Sequence, residues 1–245
     1  MPKNFKPQET ELSITTPLNF DAQAIPIHEV CTDQPKVLAR HLDPSILKHR
    51  FQNPPVWQPE ITDENRHVIA ADIISKRQAA GKVTRAAVLI PLLMKKDGLS
   101  VLLTQRTDHL HDHAGQISFP GGRMDPSDFD PNHTALRESE EEIGLNPQGV
   151  EIIGHLPQYL TVSGYSVTPV VGLVKPQAEY ALDAFEVADV FEVPLHFLMD
   201  PANHQVRVWE SDQGSRRFYS MPYENRFIWG ATAGMLRNLY HLLKV

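Results

Sequence analysis

The chain has 245 residues, 41% of them hydrophobic and 22% charged, with a formal net charge of −7. This composition suits a globular chain with one large domain, or one domain and an extension. Its acidic balance excludes the global basic field that would draw nucleic acid, and the one cysteine, Cys31, excludes an internal disulfide or a paired-cysteine zinc site.

The opening MPKNFKPQETELS has no apolar stretch of the secretory kind. AAVLIPLLM, Ala86 to Met94, is too short to span a bilayer. No membrane partner is expected, and the cytoplasm is the expected location, in keeping with the lone cysteine. Residues 1 to about 35 are polar with scattered prolines and predict an arm or loosely docked extension. PKVLARHLD predicts a short helix, and NPPVWQPE, Asn53 to Glu60, a loop. HVIAADIISKRQAAG, His67 to Gly81, has helical spacing and a closing glycine. RAAVLIPLLMKKDGLSVLLTQR predicts two strands joined at Asp97-Gly98.

After a glycine-rich stretch, Asp130 is a good N-cap, Pro131 suits the first helical position and Gly144 a left-handed cap, so a helix is predicted over Pro131 to Ile143. VEIIGHL and SVTPVVGLV predict strands. Phe227 to Leu243 places Ile228, Met235, Leu239 and Leu242 at helical spacing and predicts a buried closing helix. Strands mixed with helices imply an α/β or α+β sandwich.

RESEEEIG, Arg137 to Gly144, crowds four glutamates into two turns of the central helix. Two carboxylates about 4 Å apart repel by roughly 4 kcal/mol at an effective dielectric near 20. Glu138, Glu141 and Glu142 stand at i, i+3 and i+4 and share a face, while Glu140 points away. A solvated face would intersperse lysines, and none lies between Arg137 and Leu145. Clustered carboxylate oxygens suit Mg²⁺ or Mn²⁺.

With FPGG at Phe119 to Gly122, these residues carry a resemblance. GRMDPSDFDPNHTALRESEEEIGL, Gly122 to Leu145, resembles the Nudix hydrolase box G-x5-E-x7-R-E-U-x-E-E-x-G-U, where U is aliphatic. It departs in three ways: Asp128 stands at the first acidic position, one extra residue precedes Arg137, and Ser139 replaces the aliphatic residue. LLTQRTDHLHDHAGQISFPGG, Leu102 to Gly122, resembles the additional signature of the coenzyme A pyrophosphatase branch. SGYSVTPVVGLV, Glu186 to Pro201 and RFIWGATA are also similar to that branch. The similarity covers about residues 84 to 243, so residues 84–245 are expected to form the Nudix domain and residues 1–83 a partly helical extension.

The resemblance implies a Nudix-type α/β/α sandwich around a mixed sheet, and a hydrolase cleaving the diphosphate of coenzyme A or acyl-CoA to 3′,5′-ADP and 4′-phosphopantetheine or its acyl form. Glu138 and Glu142 would be the main metal ligands, with Glu141 sharing the Mg²⁺ or Mn²⁺ ions or acting as base. Arg137 would orient a carboxylate through a bidentate pair. Asp128 is open between supporting the helix, supporting the ligands and a plain turn role. Glu186 and Glu192 compete for a late carboxylate, and a solvated glutamate is an alternative for either. Arg106, Gln116 and Ser118, with Gly121 and Gly122, would face the substrate; Arg106 is the candidate for a phosphate, against an ordinary salt bridge. HLHDH, His109 to His113, reads as loop histidines, with His113 touching phosphate, in preference to a zinc site. Trp229 lines either the pocket edge or the core. The partner is thus a small molecule, with a homodimer left open. Alternatives are another nucleoside diphosphate derivative such as ADP-ribose, NADH or a dinucleotide, and a catalytically silent nucleotide-binding regulator.

Overall fold

The computed structural model describes residues 21–60, 83–110, 114–161, 164–211 and 214–244. The helix expected over 67–81 and His111 to His113 lie outside the described residues. Among the described residues no helix is long and apolar enough to cross a membrane.

The centre is a mixed sheet. β2 (Thr84–Lys95) and β3 (Gly98–Arg106) form the expected hairpin. Lys95 pairs with Gly98, so the two-residue turn is Lys96-Asp97, one position before the expected Asp97-Gly98. On its other side β2 runs parallel to β8 (Tyr165–Val174) over ten paired positions, and β6 (Val150–His155) closes that edge antiparallel. β9 (Val187–Pro194) flanks β3, and β7 (Tyr159–Leu160) adds to β8. Beyond the hairpin β2 and β3 part. The gap is filled by β4 (Ile117–Ser118), which pairs with β3 at Thr104 and Gln105, and β5 (Gly121–Arg123), which pairs with β2 at Ala86 to Val88. The FPGG turn is therefore wedged into the splayed sheet, where Leu89 N–H donates to the Pro120 carbonyl at 2.9 Å.

Both sheet faces are covered, which explains the unbroken apolar run of β2. Ala87, Leu89 and Leu93 pack with Leu102, Val170 and Val174 beneath α2 (Pro131–Ile143), whose Ala135 and Ile143 complete that core. Ile90 and Leu92 turn to the opposite face. There they meet Leu236, Leu239 and Leu243 of α4 (Gly230–Leu243) and Leu47 of α1 (Pro44–Gln52). Burying one such leucine contributes about 1.5–3 kcal/mol. A short α3 (Leu195–Leu198) follows β9.

A second, antiparallel sheet has the order β1 (Ile27–Val30), β10 (Gln205–Ser211), β11 (Gly214–Tyr223), β12 (Arg226–Trp229). Two expectations change here. Phe227 to Trp229 belong to strand β12, because Ile228 pairs with Met221, and the closing helix starts only at Gly230. Residues 21–35 are also firmly docked. β1 pairs with β10, the Cys31 N–H donates to the His204 carbonyl at 3.0 Å, and the buried Arg207 guanidinium donates to the carbonyls of Gln23 and Ile25. PKVLARHLD gives a single 3₁₀ turn, Ala39–Leu42; the longer α1 after it is started by Asp43, whose carboxylate accepts from Ser45 N–H at 2.9 Å, and by Pro44.

A charged cluster fastens this N-terminal segment to α4. The Arg237 side chain is 1% exposed. Its Nη2 donates to Glu60 Oε2 at 2.8 Å and to Gln34 Oε1 at 2.9 Å, and its Nη1 to His204 Nδ1 at 2.9 Å. The guanidinium lies 4.8 Å from the ring centres of both Tyr219 and Tyr240. Glu60 Oε1 accepts from the Tyr219 hydroxyl at 3.0 Å, and His241 Nε2 reaches Oε2.

Candidate active site

α2 forms where the sequence places it. The Asp130 carboxylate accepts from His133 N–H at 2.8 Å. Gly144 takes φ 64°, and the N–H groups of Gly144 and Leu145 bond the carbonyls of Glu140 and Ser139. Ser139, at the position where the box expects an aliphatic side chain, is buried and donates to the Ala135 carbonyl at 2.6 Å. Its hydroxyl is thereby satisfied within the helix.

The glutamates differ in depth. Glu142 is 6% exposed, and its Oε2 accepts from Gly121 N–H at 3.1 Å. Burial pushes its carboxyl up to about 8; the Gly121 N–H opposes that rise, the charge of Glu138 adds to it, Arg106 opposes it and Glu186 adds further. Glu138 is also raised, first by burial, against the pull of Arg137. Its carboxylate occupies the space a Cβ on Gly122 would fill, 2.5 Å from Oε2. Glu141 departs from the expected convergence: it is exposed, and Arg137 Nη1 holds its Oε2 at 2.9 Å. Helical spacing gave the three a common side, but the FPGG wedge covers only Glu138 and Glu142. Glu140 is exposed, facing away as expected.

Arg137 is the hub. Its Nε and Nη2 bond the two oxygens of Asp128 at 3.0 and 2.9 Å, and Nη2 also reaches Glu138 Oε1 at 2.9 Å. Asp128 has a fully buried side chain that also accepts from Asp125 N–H, Thr134 Oγ1 and His133 Nδ1. The Arg137 bonds, opposed by burial, hold its carboxyl well below the usual carboxylate range. Both oxygens are engaged by this network, so Asp128 acts as the anchor of Arg137. The sequence hinted at this only through a carboxylate close before His133, Thr134 and Arg137.

Arg106, at the end of β3, is near enough to Glu142 to favour its charged form, and its buried Nε has no hydrogen-bond partner among the described residues. The Gln116 carbonyl accepts from Arg106 N–H at 2.9 Å, which fixes the strand end. The Ser118 hydroxyl faces Thr104 Oγ1 at 3.1 Å, so it is tied to β3. Glu186 is near enough to raise both Glu138 and Glu142, whereas Glu192 pairs with Lys95 at 2.6 Å. Trp229 is half-buried, its ring 5.5 Å from that of Phe218.

Buried carboxyls that cost free energy when ionised, the unbonded Arg106 Nε and all-oxygen donors suit a divalent cation beside an anionic ligand. Among the described residues, no three His, Cys, Asp or Glu side chains are arranged to hold an ion as they stand.

The family model described as the NUDIX domain matches residues 83–213, just over half of the chain. Among curated relatives, the uncharacterized Nudix hydrolase NudL of Yersinia pestis (strain Pestoides F) is 43% identical over 155 residues, covering 63% of this chain and 77% of that protein. NudL of Yersinia pseudotuberculosis (serotype O:1b) gives the same figures. Among solved structures, a C. elegans Ap4A hydrolase binary complex superposes with TM-score 0.41 at 22% identity, over 49% of this chain and 86% of its own. RenU, a Nudix hydrolase from M. smegmatis, gives 0.40 at 21%, over 46% and 71%. By the span of the family model and by its likeness to NudL, the chain belongs to the Nudix hydrolase family, whose members generally use divalent metal ions.

Proposed function

We propose that this Nudix hydrolase cleaves the central diphosphate of coenzyme A, and of acyl-CoA, releasing 3′,5′-ADP and 4′-phosphopantetheine or its acyl form. The observation that supports this reading is the use made of Leu102 to Gly122, the segment that resembles the coenzyme A pyrophosphatase branch. It brings Arg106 and the Gly121 N–H against Glu142.

Glu138 and Glu142 would hold Mg²⁺ or Mn²⁺, with Glu186 beside them. When bound, a divalent ion neutralises charge on the diphosphate oxygens and acidifies water. Arg137 positions Glu138 and Glu141 from its anchor on Asp128. Glu141, although on the exposed side of the helix and paired with Arg137, is the residue we assign to take the proton of the attacking water or to share an ion. Arg106 binds a phosphate through the guanidinium whose Nε is unused, Gln116 and Ser118 shape the strand end it stands on, and Gly121 and Gly122 allow close approach. Water adds to one phosphorus as the bridging P–O bond breaks. We place catalysis in residues 84–245, with residues 1–83 as an extension, in the cytoplasm.

Turnover of coenzyme A is to be compared with ADP-ribose, NADH, diadenosine polyphosphates and 8-oxo-dGTP, with Mg²⁺ and with Mn²⁺. Coenzyme A should lead. Negligible cleavage of it beside fast ADP-ribose cleavage would overturn the substrate while keeping the reaction class. Glu142→Gln should lose orders of magnitude in rate with its fold retained; a silent binder would have no turnover to lose.

A further inference from the structure

Phe185 is a large apolar side chain left 65% exposed, yet the backbone beneath it is closely fixed. Its N–H donates to Asp183 Oδ1 at 2.8 Å, and its carbonyl accepts from the buried Thr107 Oγ1 at 2.8 Å. Thr107 N–H donates to the next carbonyl, that of Glu186, at 3.1 Å. Asp183 N–H in turn donates to the Glu142 carbonyl at 2.9 Å, and Ala181 N–H to that of Ile143 at 3.1 Å. The turn bearing Phe185 is thus stitched both to the end of α2 and to the strand end carrying Arg106. A mobile loop would leave such backbone bonds to water.

The neighbourhood tells what the ring is for. Glu186, the next residue, is the carboxylate felt by Glu138 and Glu142. The His109 ring meets Phe185 at 4.9 Å and 61°, an edge contact that steadies the ring without stacking on it, and Phe185 stays 65% exposed. Among the described residues the other strongly exposed phenylalanine, Phe129, differs. Its ring lies 4.2 Å from that of His133 at only 33°, so one face is already stacked.

We infer that Phe185, braced by His109, is the platform on which the nucleobase of the substrate stacks while its diphosphate lies against Arg106 and the carboxylates. An extended acyl chain gains from being enclosed on several sides, whereas a flat base gains from one open ring face, and every base has such a face. This assignment rests on the diphosphate reading of the same site. It makes Phe185 a determinant of affinity for the nucleoside half of the substrate, whatever group leaves from the other half.

The test uses Phe185→Ala, Phe185→Trp and Phe129→Ala in the full chain, with melting curves run beside the kinetics. With coenzyme A, Phe185→Ala should raise KM about tenfold, within the range that base–aromatic stacking spans, with kcat within about twofold of the parent. Phe185→Trp should keep the parental KM, and its added indole fluorescence should be quenched by adenosine 3′,5′-bisphosphate. Phe129→Ala should match the parent. An unchanged KM in Phe185→Ala, an equal rise in Phe129→Ala, or no quenching in Phe185→Trp overturns the platform. If the parent protein cleaves ADP-ribose but not coenzyme A, the substrate proposal fails by itself, and the same variants read the platform through KM for ADP-ribose.

Discussion

Replacing Glu60 by Gln isolates the charge that compensates the buried Arg237. The amide keeps the shape and can still accept one hydrogen bond, so what disappears is the negative charge beside a guanidinium whose side chain is 1% exposed. Removing one partner of a buried pair costs about 3–5 kcal/mol. The Glu60 side chain retains 19% exposure, so water screens part of the loss and the lower end, about 3 kcal/mol, is expected. In a chain of this size each kcal/mol lowers Tm by about 2–4 °C, so the melting point should fall by roughly 6–12 °C. Circular dichroism melts at pH 7 measure it directly. A second arm decides the cause. Arg237→Met combined with Glu60→Gln removes both charges from the contact between α4 and the N-terminal segment and should be less destabilised than the two single losses added together. A fall below 2 °C in Glu60→Gln, or strictly additive losses in the double variant, would refute the compensation argument.

Three further outcomes follow from particular contacts. Burial, helped by the Arg237 charge, pushes His204 down to about 4; Nδ1 accepts from Arg237 and Nε2 donates to the Leu198 carbonyl at 2.7 Å, which assigns the neutral ring. The unfolded chain binds that proton near pH 6.5 and the folded chain only near 4, so His204 should take about 3 kcal/mol from stability as pH falls between those values. Glu142, raised to about 8, acts in the opposite direction over the same range, so the decline is read in Glu142→Gln, where urea midpoints that stay level from pH 7 to 4 would contradict it. Gly122→Ala drives a methyl into the movable Glu138 carboxylate, so turnover should drop about tenfold or more while Tm shifts by no more than about 2 °C; a large Tm loss with unchanged turnover would reverse that assignment. Asp128→Ala strips the anchor from Arg137, and urea unfolding should show a loss of about 3–5 kcal/mol together with reduced turnover.

What could be read from the sequence was what is local. The ends of α2 were legible because Asp130, Pro131 and Gly144 act within one turn of themselves. Spacing also put Glu138 and Glu142 on one side, but it carries no depth. Only the FPGG wedge, brought in between β2 and β3, buries Glu142 and leaves Glu141 in water. The start of the closing helix was misplaced for a related reason. Phe-Ile-Trp fits either period, and the choice was made by pairing with β11. Arg237 gave no signal at all, since an arginine in an apolar helix reads as a solvated interruption until Glu60, 177 positions away, is beside it. α1 went unread: its start rests on Asp43 and Pro44, and with Leu47 its one fully buried residue its apolar period is too weak to mark a helix.

The docking of the N-terminal segment also has a meaning in time. Gln23 and the Arg207 guanidinium that holds its carbonyl are 184 positions apart. At roughly 5–20 residues per second of synthesis, the segment emerges some ten to forty seconds before its clamp exists. Through that interval the backbone of Ile27 to Val30 is an unpaired strand waiting for β10. Ile27 to Val30 are therefore made long before they are fastened, and over that interval their free backbone edge is open to pairing with another chain.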